Sequence, residues 1–243
     1  YNYIMKFYTS VNRYGNEILY RGYNYGRQDT YRVKHSPTLF LPSKEQSKFK
    51  SIFGHNLTKK RFNDMRSAGD FVRKYQEVDD FNVFGTTNFI HEFITQKFPN
   101  DIEFNKSDIN IVNFDIEVET ESDYLDVWKA NNEITSIALT DNISGDYVVL
   151  ILDKDNRTEY RKKGNVEVIP FDNEKQMLQA FIDKWNEINP DAITGWNIQA
   201  FDVPYLLNRI KTLFHGTKRH ELSKIDKIYY DKTYNEYRIP GVS

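Results

Sequence analysis

The sequence contains no cysteine among its 243 residues, which excludes disulfide bonds and zinc sites that depend on thiolates. Only five histidines are present, so few nitrogen ligands are available for a soft metal. No apolar run approaches the roughly 18 residues needed to cross a bilayer, so no membrane contact is expected. The lack of cysteine also fits a reducing compartment, and the cytoplasm is the expected location.

The sequence also lacks a strong charge of either sign, with a net charge of −2. The protein therefore lacks the overall basic character that would indicate nucleic-acid binding. A carboxylate-rich metal site would, however, mask local basic patches in this total. Aromatic residues are abundant at 15%, with 17 tyrosines and 17 phenylalanines. Most of these rings are expected in the core, and tyrosine and phenylalanine also stack on unpaired bases.

The first hundred residues predict a small α+β unit. Segments rich in Tyr, Val and Ile alternate with Gly and Asn turns, and two helical patterns follow. Pro37 and Pro42 are expected to end the strand meander, and Asn63 or Asp64 is expected to cap the first helix. The predicted strands are 4–11, 17–23, 30–35 and, more weakly, 49–57, and the predicted helices are 64–78 and 87–97. The polar stretch 98–108 sets the domain boundary, which gives domains 1–107 and 108–243.

The second part predicts a mixed sheet covered by helices. Its longest helical pattern has one apolar stripe, a cap at Asp172 and a stop at Pro190. The last helix is expected to end at Gly216. The predicted strands are 109–118, 133–140, 147–152, 166–169 and 192–194, the predicted helices are 173–188 and 201–214, and segments 227–230 and 234–239 predict a β-hairpin.

Two carboxylates, Asp115 and Glu117, close the apolar run 109–118. Residues two apart on a strand point the same way, so these two side chains are expected on one face. Paired carboxylates at the end of an apolar strand repel each other unless a cation is held there. Mg²⁺ or Mn²⁺ is the natural occupant, because such hard ions prefer oxygen ligands. The alternative is a solvated strand end, since further glutamates follow.

A second polar feature lies between the strand at 192–194 and the last predicted helix. Asn197 stands in the loop, and Asp202 precedes Val203 and Pro204 at the start of the helix. An ordinary N-cap explains an aspartate at this position in most proteins. An asparagine followed by Phe-Asp at this spacing, downstream of an Asp-x-Glu strand, is a much rarer combination.

The pair of segments Phe-Asp-Ile-Glu at 114–117 and Asn-x-x-x-Phe-Asp at 197–202 resembles the first and second exonuclease motifs of family B DNA polymerases. The resemblance is strongest to the polymerases of T-even-type tailed bacteriophages and runs over nearly the whole chain from Met5. The further segments that carry it are 128–134, 170–174, 194–209 and 240–243. It implies an α+β N-terminal domain followed by an α/β ribonuclease H-like, DEDD-type exonuclease domain with a mixed sheet, incomplete at its C-terminus.

By position, the resemblance assigns Asp115, Glu117 and Asp202 as catalytic carboxylates that bind two Mg²⁺ or Mn²⁺ ions. The implied reaction is 3′→5′ proofreading hydrolysis, in which one ion activates a water and the other stabilises the leaving 3′ oxygen. Asn197 is expected to touch the terminal nucleotide or to orient the loop of the metal site.

Four further residues are expected near the substrate. Tyr124, in the loop after the first motif, is expected to stack on a frayed base. Phe201 is expected beside the substrate, with packing as its main role. Lys218 and Arg219 follow the helix of the second motif and are candidates for phosphate contact, although a solvated basic face is the alternative.

The third motif of the family is a Tyr or His with an Asp four residues later, and no such pair follows Asp202 in this sequence. The motifs of a polymerase active site are also absent. The sequence therefore predicts a chain that ends inside the exonuclease domain, and an isolated chain that is inactive or weak.

The implied partners are a single-stranded DNA 3′ end or a primer–template, and a C-terminal polymerase portion from the same gene or a separate chain. Contact of the N-terminal domain with RNA is a further expectation. If the protein is encoded by a phage, the expected location is the host cytoplasm. Two alternatives stay open, a non-catalytic single-stranded nucleic-acid-binding or scaffolding subunit of a split polymerase, and a distinct exonuclease with a related carboxylate site.

Overall fold

The computed structural model describes residues 6–78, 81–120 and 125–243. The chain folds into two compact units, which divide between Phe104 and Asn105. No helix in these described ranges is both long enough and apolar enough to span a membrane.

The first unit contains two small antiparallel sheets and two helices. Its core joins both sheets to the helices, and it includes Ile18, Leu39, Phe62, Met65 and Phe89. The first sheet has the order β1-β2-β3, with β1 (Lys6–Tyr14), β2 (Glu17–Asn24) and β3 (Arg27–Lys34). The second sheet has the order β4-β6-β5, with β4 (Thr38–Pro42), β5 (Phe49–Lys50) and β6 (Asn56–Arg61). The helices are α1 (Met65–Tyr75) and α2 (Phe89–Lys97).

The strand meander β1-β2-β3 ends at Lys34, before Pro37, as predicted. The sequence did not predict β4, which lies between Pro37 and Pro42 and pairs with β6 in the second sheet, and the prediction of one strand at 49–57 is wrong. Proline is tolerated on edge strands, and β4 lies at the edge of its sheet, so Pro42 does not break the pairing. The weak strand predicted at 49–57 is two short strands joined by a turn, in which Gly54 takes a φ of 83°.

The second unit is built on a six-stranded mixed sheet of order β10-β11-β9-β8-β7-β12. The strands β7, β8 and β9 pair antiparallel, while β11 runs parallel to β9 and β12 runs parallel to β7. Their bounds are β7 (Ile111–Val118), β8 (Ile134–Asp141), β9 (Tyr147–Leu152), β10 (Arg161–Lys163), β11 (Val166–Phe171) and β12 (Ala192–Thr194). The mixed α/β architecture expected from the sequence is therefore present.

Two helices cover the sheet, α3 (Glu174–Ile188) and α4 (Asp202–Phe214). Their apolar stripes share one core with the inward residues of β7, β8 and β9. The cap of α3 is Asn173, whose side chain accepts from the backbone N–H of Lys175 at 2.9 Å, so the predicted cap at Asp172 is wrong by one residue. Both residue types cap helices well, which is why the pattern alone did not separate them.

The end of the chain contains a 3₁₀ helix, Lys218–Leu222, and a β-hairpin. The hairpin consists of β13 (Tyr229–Asp231) and β14 (Glu236–Arg238), which pair antiparallel. This agrees with the predicted hairpin, although both strands are shorter than expected.

Candidate active site

The two carboxylates of the first motif lie on the exposed face of β7. Asp115 and Glu117 alternate with Phe114 and Ile116, which are buried in the core. The alternation predicted from the sequence is therefore present. A register shift between Glu117 and Val118 interrupts the pairing of β7 with β8 at this point. Such bulges re-aim side chains, and they occur often beside active sites.

Asp202 reaches the same strand from the start of α4. Its side chain is only 2% exposed, and its Oδ1 accepts from the backbone N–H of Ile116 at 3.1 Å. Asp202 is the first helical residue and not the cap, since Phe201 holds the cap position and makes no side-chain capping bond. The N-cap alternative is therefore wrong. The buried carboxylate contacts β7 at the residue that separates Asp115 from Glu117.

A tight loop between β12 and α4 places Asp202 against β7. The last paired residue of β12 is Thr194, which lies opposite Asn113, and Gly195 follows it. A Cβ on Gly195 would lie 2.7 Å from the carbonyl oxygen of Phe114, so only glycine fits without a shift of the backbone. Asn197 then takes a left-handed φ of 57°, and its carbonyl accepts from the N–H groups of Ala200 and Phe201. Asn197 is exposed and turns the loop into the helix.

The electrostatics of the site are strongly negative. Burial raises the pKa of the Asp202 carboxyl, and the negative charges of Asp115 and Glu117 raise it further. The hydrogen bond from Ile116 opposes these effects but does not cancel them. The ionised form of Asp202 is therefore destabilised in the fold, as expected for a carboxylate in a site that favours a bound cation.

The residues present fit a hard divalent ion in chemistry. All three side chains offer carboxylate oxygens, which Mg²⁺ and Mn²⁺ prefer. In the part of the chain that the structure describes, however, no three His, Cys, Asp or Glu side chains converge closely enough to hold a metal ion. The buried carboxylate and its acidic neighbours thus supply the donor type, while a close three-ligand arrangement is not formed.

The other residues predicted to contact the substrate lie in different surroundings. Phe201 packs on the core and against the ring of Tyr205, with 5.6 Å between centroids. Lys218 pairs with Glu221 at 2.8 Å. Arg219 lies over the ring of Tyr237 at 5.6 Å, and its Nε and Nη1 are buried without a hydrogen-bond partner among the described residues. Phe201 and Arg219 are thus at least partly internal. Tyr124 lies outside the described residues.

A buried ion pair beside the site was not found by sequence reasoning. Arg209 on α4 donates from Nε and Nη2 to Glu174, the first residue of α3, at 2.9 and 2.6 Å. Arg209 also donates from Nη1 to the carbonyl of Asn131 at 2.8 Å, and Tyr205 donates to the carbonyl of Asn132 at 2.9 Å. Helix α4 therefore fixes residues 131 and 132, just before β8. The sequence contains only an indirect indication of this ion pair, because Glu174 and Arg209 both fall in segments that carry the polymerase resemblance.

Comparison with known proteins identifies the family. The family described as DNA polymerase family B, exonuclease domain, matches residues 75–243, which is more than half of the chain. The chain is 30% identical to the DNA-directed DNA polymerase of Enterobacteria phage T4 over 96% of its own length, and 28% identical to that of Escherichia phage RB69 over 90%. A shorter segment, 20% of the chain, is 46% identical to the DNA polymerase delta catalytic subunit of Glycine max.

The chain spans 28% of the T4 polymerase and 27% of the RB69 polymerase. These two relatives are DNA-directed DNA polymerases of phages. Exonuclease domains of family B polymerases generally depend on divalent metal ions. The chain therefore belongs to DNA polymerase family B and carries the exonuclease domain of that family, whose activity is 3′→5′ hydrolysis of DNA.

Proposed function

We propose that this chain removes nucleotides from DNA 3′ ends through a site formed by Asp115, Glu117 and Asp202. The observation that carries the proposal is the buried carboxylate of Asp202, bonded to β7 between the other two acids, with a raised pKa. Burial and two acidic neighbours make the ionised form of this carboxylate unfavourable. In an exonuclease domain, a catalytic role best explains why such a group is kept there.

The three carboxylates are proposed to bind Mg²⁺ or Mn²⁺, which supplies an activated water and stabilises the leaving 3′ oxygen. Asp202 is held in one orientation by Ile116, and the backbone of Asn197 holds the loop that leads to it. Asp115 and Glu117 are exposed and free to adjust toward a ligand. Asn197 is also proposed to touch the terminal nucleotide. Phe201, Tyr124, Lys218 and Arg219 are proposed to lie along the path of the strand.

We assign the finer fold class to the ribonuclease H-like, DEDD-type exonucleases, with residues 108–243 as the exonuclease domain. Three antiparallel strands followed by β12, which runs parallel to β7 at the sheet edge, support this assignment. Residues 1–107 are proposed as the N-terminal domain of the polymerase, with a role in RNA or single-strand contact.

The proposed partners are a single-stranded DNA 3′ end or a primer–template and a C-terminal polymerase portion. A location in the host cytoplasm follows the phage relatives. Polymerase activity belongs to the relatives, whose length exceeds that of this chain, and it comes to this protein only as a proposal. A purely non-catalytic binding subunit is not favoured, because the family match is to the exonuclease domain itself.

The test is degradation of a 5′-labelled single-stranded oligonucleotide with Mg²⁺ or Mn²⁺. The three acidic motif residues are present, but no Tyr or His after Asp202 has an Asp four residues later, so weak activity is expected. Asp202→Asn is expected to slow hydrolysis by at least about 100-fold. Loss of a residue that only orients a metal ligand lowers activity by about 10- to 100-fold, and loss of the ligand itself is expected to cost at least as much. The matched control Asp183→Asn, an exposed carboxylate on α3, leaves the rate unchanged.

Degradation that survives Asp202→Asn, or that persists in EDTA, contradicts the proposal. If the wild-type rate lies below detection, titration calorimetry with Mn²⁺ takes its place. Binding to the wild type that weakens in Asp202→Asn supports the site, and equal binding to both proteins overturns it.

A further inference from the structure

An aromatic cleft of about 370 Å³ lies beside the loop that leads to Asp202. Three parts of the second unit form it, namely residues 127 and 128, the loop before α4 with the first turn of that helix, and the terminal hairpin. The residues that matter to the argument are Trp128, Ala200, Pro204, Tyr230, Tyr234 and Tyr237. We call this feature the aromatic cleft.

Three rings of the cleft contact one another. Trp128 meets Tyr230 edge to face, with 5.1 Å between centroids, and lies 6.2 Å from the ring of Tyr237. Tyr230 and Tyr237 are 5.4 Å apart. Despite these contacts, Trp128 is 56% exposed and Tyr234 is 68% exposed. Large aromatic surface is therefore left in water within a concave site, which is typical of a ligand pocket.

The walls of the cleft are tied together by α4. The hydroxyl of Tyr237 donates to Oδ1 of Asn208 at 2.7 Å. The Nδ2 of the same asparagine donates to the carbonyl of Val127, next to Trp128, at 3.0 Å. One buried side chain of α4 thus holds the hairpin wall and the tryptophan wall at the same time. The cleft is preformed, which lowers the entropy cost of binding.

The charges around the cleft suit a nucleotide. Arg238 lies over the ring of Tyr234 at 5.1 Å, and Arg219 lies over that of Tyr237 at 5.6 Å. Glu236, which also lines the cleft, is paired with Arg238 at 2.7 Å, so its negative charge is compensated. The amides of Gln199 and Asn235 offer both donors and acceptors at the rim.

The cleft is continuous in sequence with the candidate active site. Ala200 lines the cleft and stands two residues before Asp202, in the loop that Gly195 and Asn197 shape. The backbone of Ala200 lies no more than about 7 Å from that of Asp202, so a strand with its 3′ end at the carboxylates can reach these rings. The volume suits one base, and bases stack on aromatic side chains with little regard to sequence.

We propose that the aromatic cleft binds one unpaired nucleobase of the DNA strand whose 3′ end occupies the carboxylate site, with Trp128 as the main stacking surface. This proposal rests on the proposed function, because that function places a single strand at the adjacent loop. The base lies upstream of the nucleotide that is removed, so the cleft sets the position of the strand and takes no part in the hydrolysis.

The experiment is an abasic scan with the full 243-residue chain. Fluorescein-labelled oligothymidylates carry a single abasic position, moved one step at a time from the 3′ end, and affinity is measured by anisotropy in EDTA. In the wild type, one position is expected to weaken binding by about 5- to 150-fold, the effect of losing one stacked base. In Trp128→Ala, the fully based oligonucleotide is expected to bind more weakly by a similar factor, and the sensitivity at that position disappears.

Two further variants separate stacking from folding. Trp128→Leu fills the volume without an aromatic ring and is expected to behave as Trp128→Ala, while Trp128→Phe retains most of the affinity. Tyr160→Ala, which removes a ring that is 56% exposed elsewhere in the unit, leaves the profile unchanged. Circular dichroism establishes that each variant is folded.

The outcomes also distinguish this proposal from the proposed function. Identical abasic profiles in the wild type and in folded Trp128→Leu overturn the aromatic cleft, as does the absence of any binding. If Asp202→Asn leaves hydrolysis intact while the Trp128-dependent position remains, the cleft stands and the assignment of the active site fails. If hydrolysis depends on Asp202 but no position depends on Trp128, the active site stands and the cleft fails.

Discussion

Two helices of the second unit begin with a buried carboxylate, and the two environments are opposite. Glu174 starts α3 and is 6% exposed, while Asp202 starts α4 and is 2% exposed. Glu174 accepts two bonds from Arg209 and one from the N–H of Ile134, at 2.6 to 2.9 Å. Asp202 accepts from Ile116 and lies near two further acids.

The difference separates a structural charge from a functional one. Each carboxylate gains from the positive end of its helix dipole, which supplies about 0.3–1 kcal/mol and offsets only part of the desolvation. For Glu174, the guanidinium of Arg209 offsets the remaining cost of desolvation. Burial alone would lower the pKa of Arg209, but the hydrogen bonds and the charge of Glu174 raise it instead. Asp202 has acidic neighbours in place of a cation, so its charge is compensated only when a positive ligand arrives.

The largest expected effect on stability is at the compensated carboxylate. Glu174→Gln keeps the shape and the acceptor for Ile134 but leaves the buried charge of Arg209 uncompensated. Breaking a buried ion pair in this way costs about 3–5 kcal/mol in the free energy of unfolding. Urea denaturation followed by circular dichroism measures the change.

The control for this variant is Glu187→Gln on the same helix. Glu187 pairs with Lys184 at 3.0 Å but is 70% exposed, so its loss changes stability by less than about 1 kcal/mol. If the two variants unfold at the same urea concentration, the contrast between a buried structural charge and an exposed one does not hold.

The next effect concerns the loop that delivers the functional carboxylate. Gly195→Ala places a Cβ 2.7 Å from the carbonyl of Phe114, and the backbone must move to relieve the contact. We expect a loss of about 1–3 kcal/mol in the free energy of unfolding, typical of overpacking. The matched change Gly145→Ala at an exposed turn meets no atom within 4 Å, although its positive φ adds some strain. A Gly195→Ala protein no less stable than Gly145→Ala contradicts the close approach.

The smallest expected effect is a gain in stability at the uncompensated carboxylate. Asp202→Asn removes a buried charge while it keeps an oxygen that accepts from Ile116. We expect the free energy of unfolding in EDTA at pH 7 to rise by about 0.5–2 kcal/mol, the range of a common stabilising substitution.

The sign of the pH dependence follows from the raised pKa of Asp202. Above the ordinary pKa of an aspartate, about 3.9, the folded state holds this proton more tightly than the unfolded chain. The wild type therefore loses stability as the pH rises through the folded pKa, and Asp202→Asn does not. The advantage of the variant is largest at pH 7 and disappears near pH 4, as thermal unfolding across this range can measure.

Divalent cations are expected to change the stability of the wild type and of Asp202→Asn by different amounts. Millimolar Mn²⁺ is expected to raise the melting temperature of the wild type, because an ion that binds only the folded state stabilises it, and to raise that of Asp202→Asn less. An Asp202→Asn protein that is less stable than the wild type in EDTA means that the carboxylate is compensated by a group other than a bound ion.

Local pattern predicted much of the second unit. The strands 147–152 and 192–194 have the predicted bounds, and the alternation on β7 places Asp115 and Glu117 on one face. Period and residue type are local properties, so they can be read without knowledge of the fold. The proline-bounded strand β4 and the cap at Asn173 were missed, because pairing partners and cap geometry decide between local alternatives that are nearly equal.

The sequence by itself determined the family, the carboxylate pair on one strand, and the helix that carries Asp202. Only the tertiary structure decided that Asp202 bonds to Ile116, 86 residues away along the chain, in place of capping its own helix. The tertiary structure alone also paired Glu174 with Arg209 and gathered Trp128 and the hairpin tyrosines around one cleft. Such contacts join residues far apart in sequence, and their energy depends on burial and on neighbouring charges that exist only after the chain has folded.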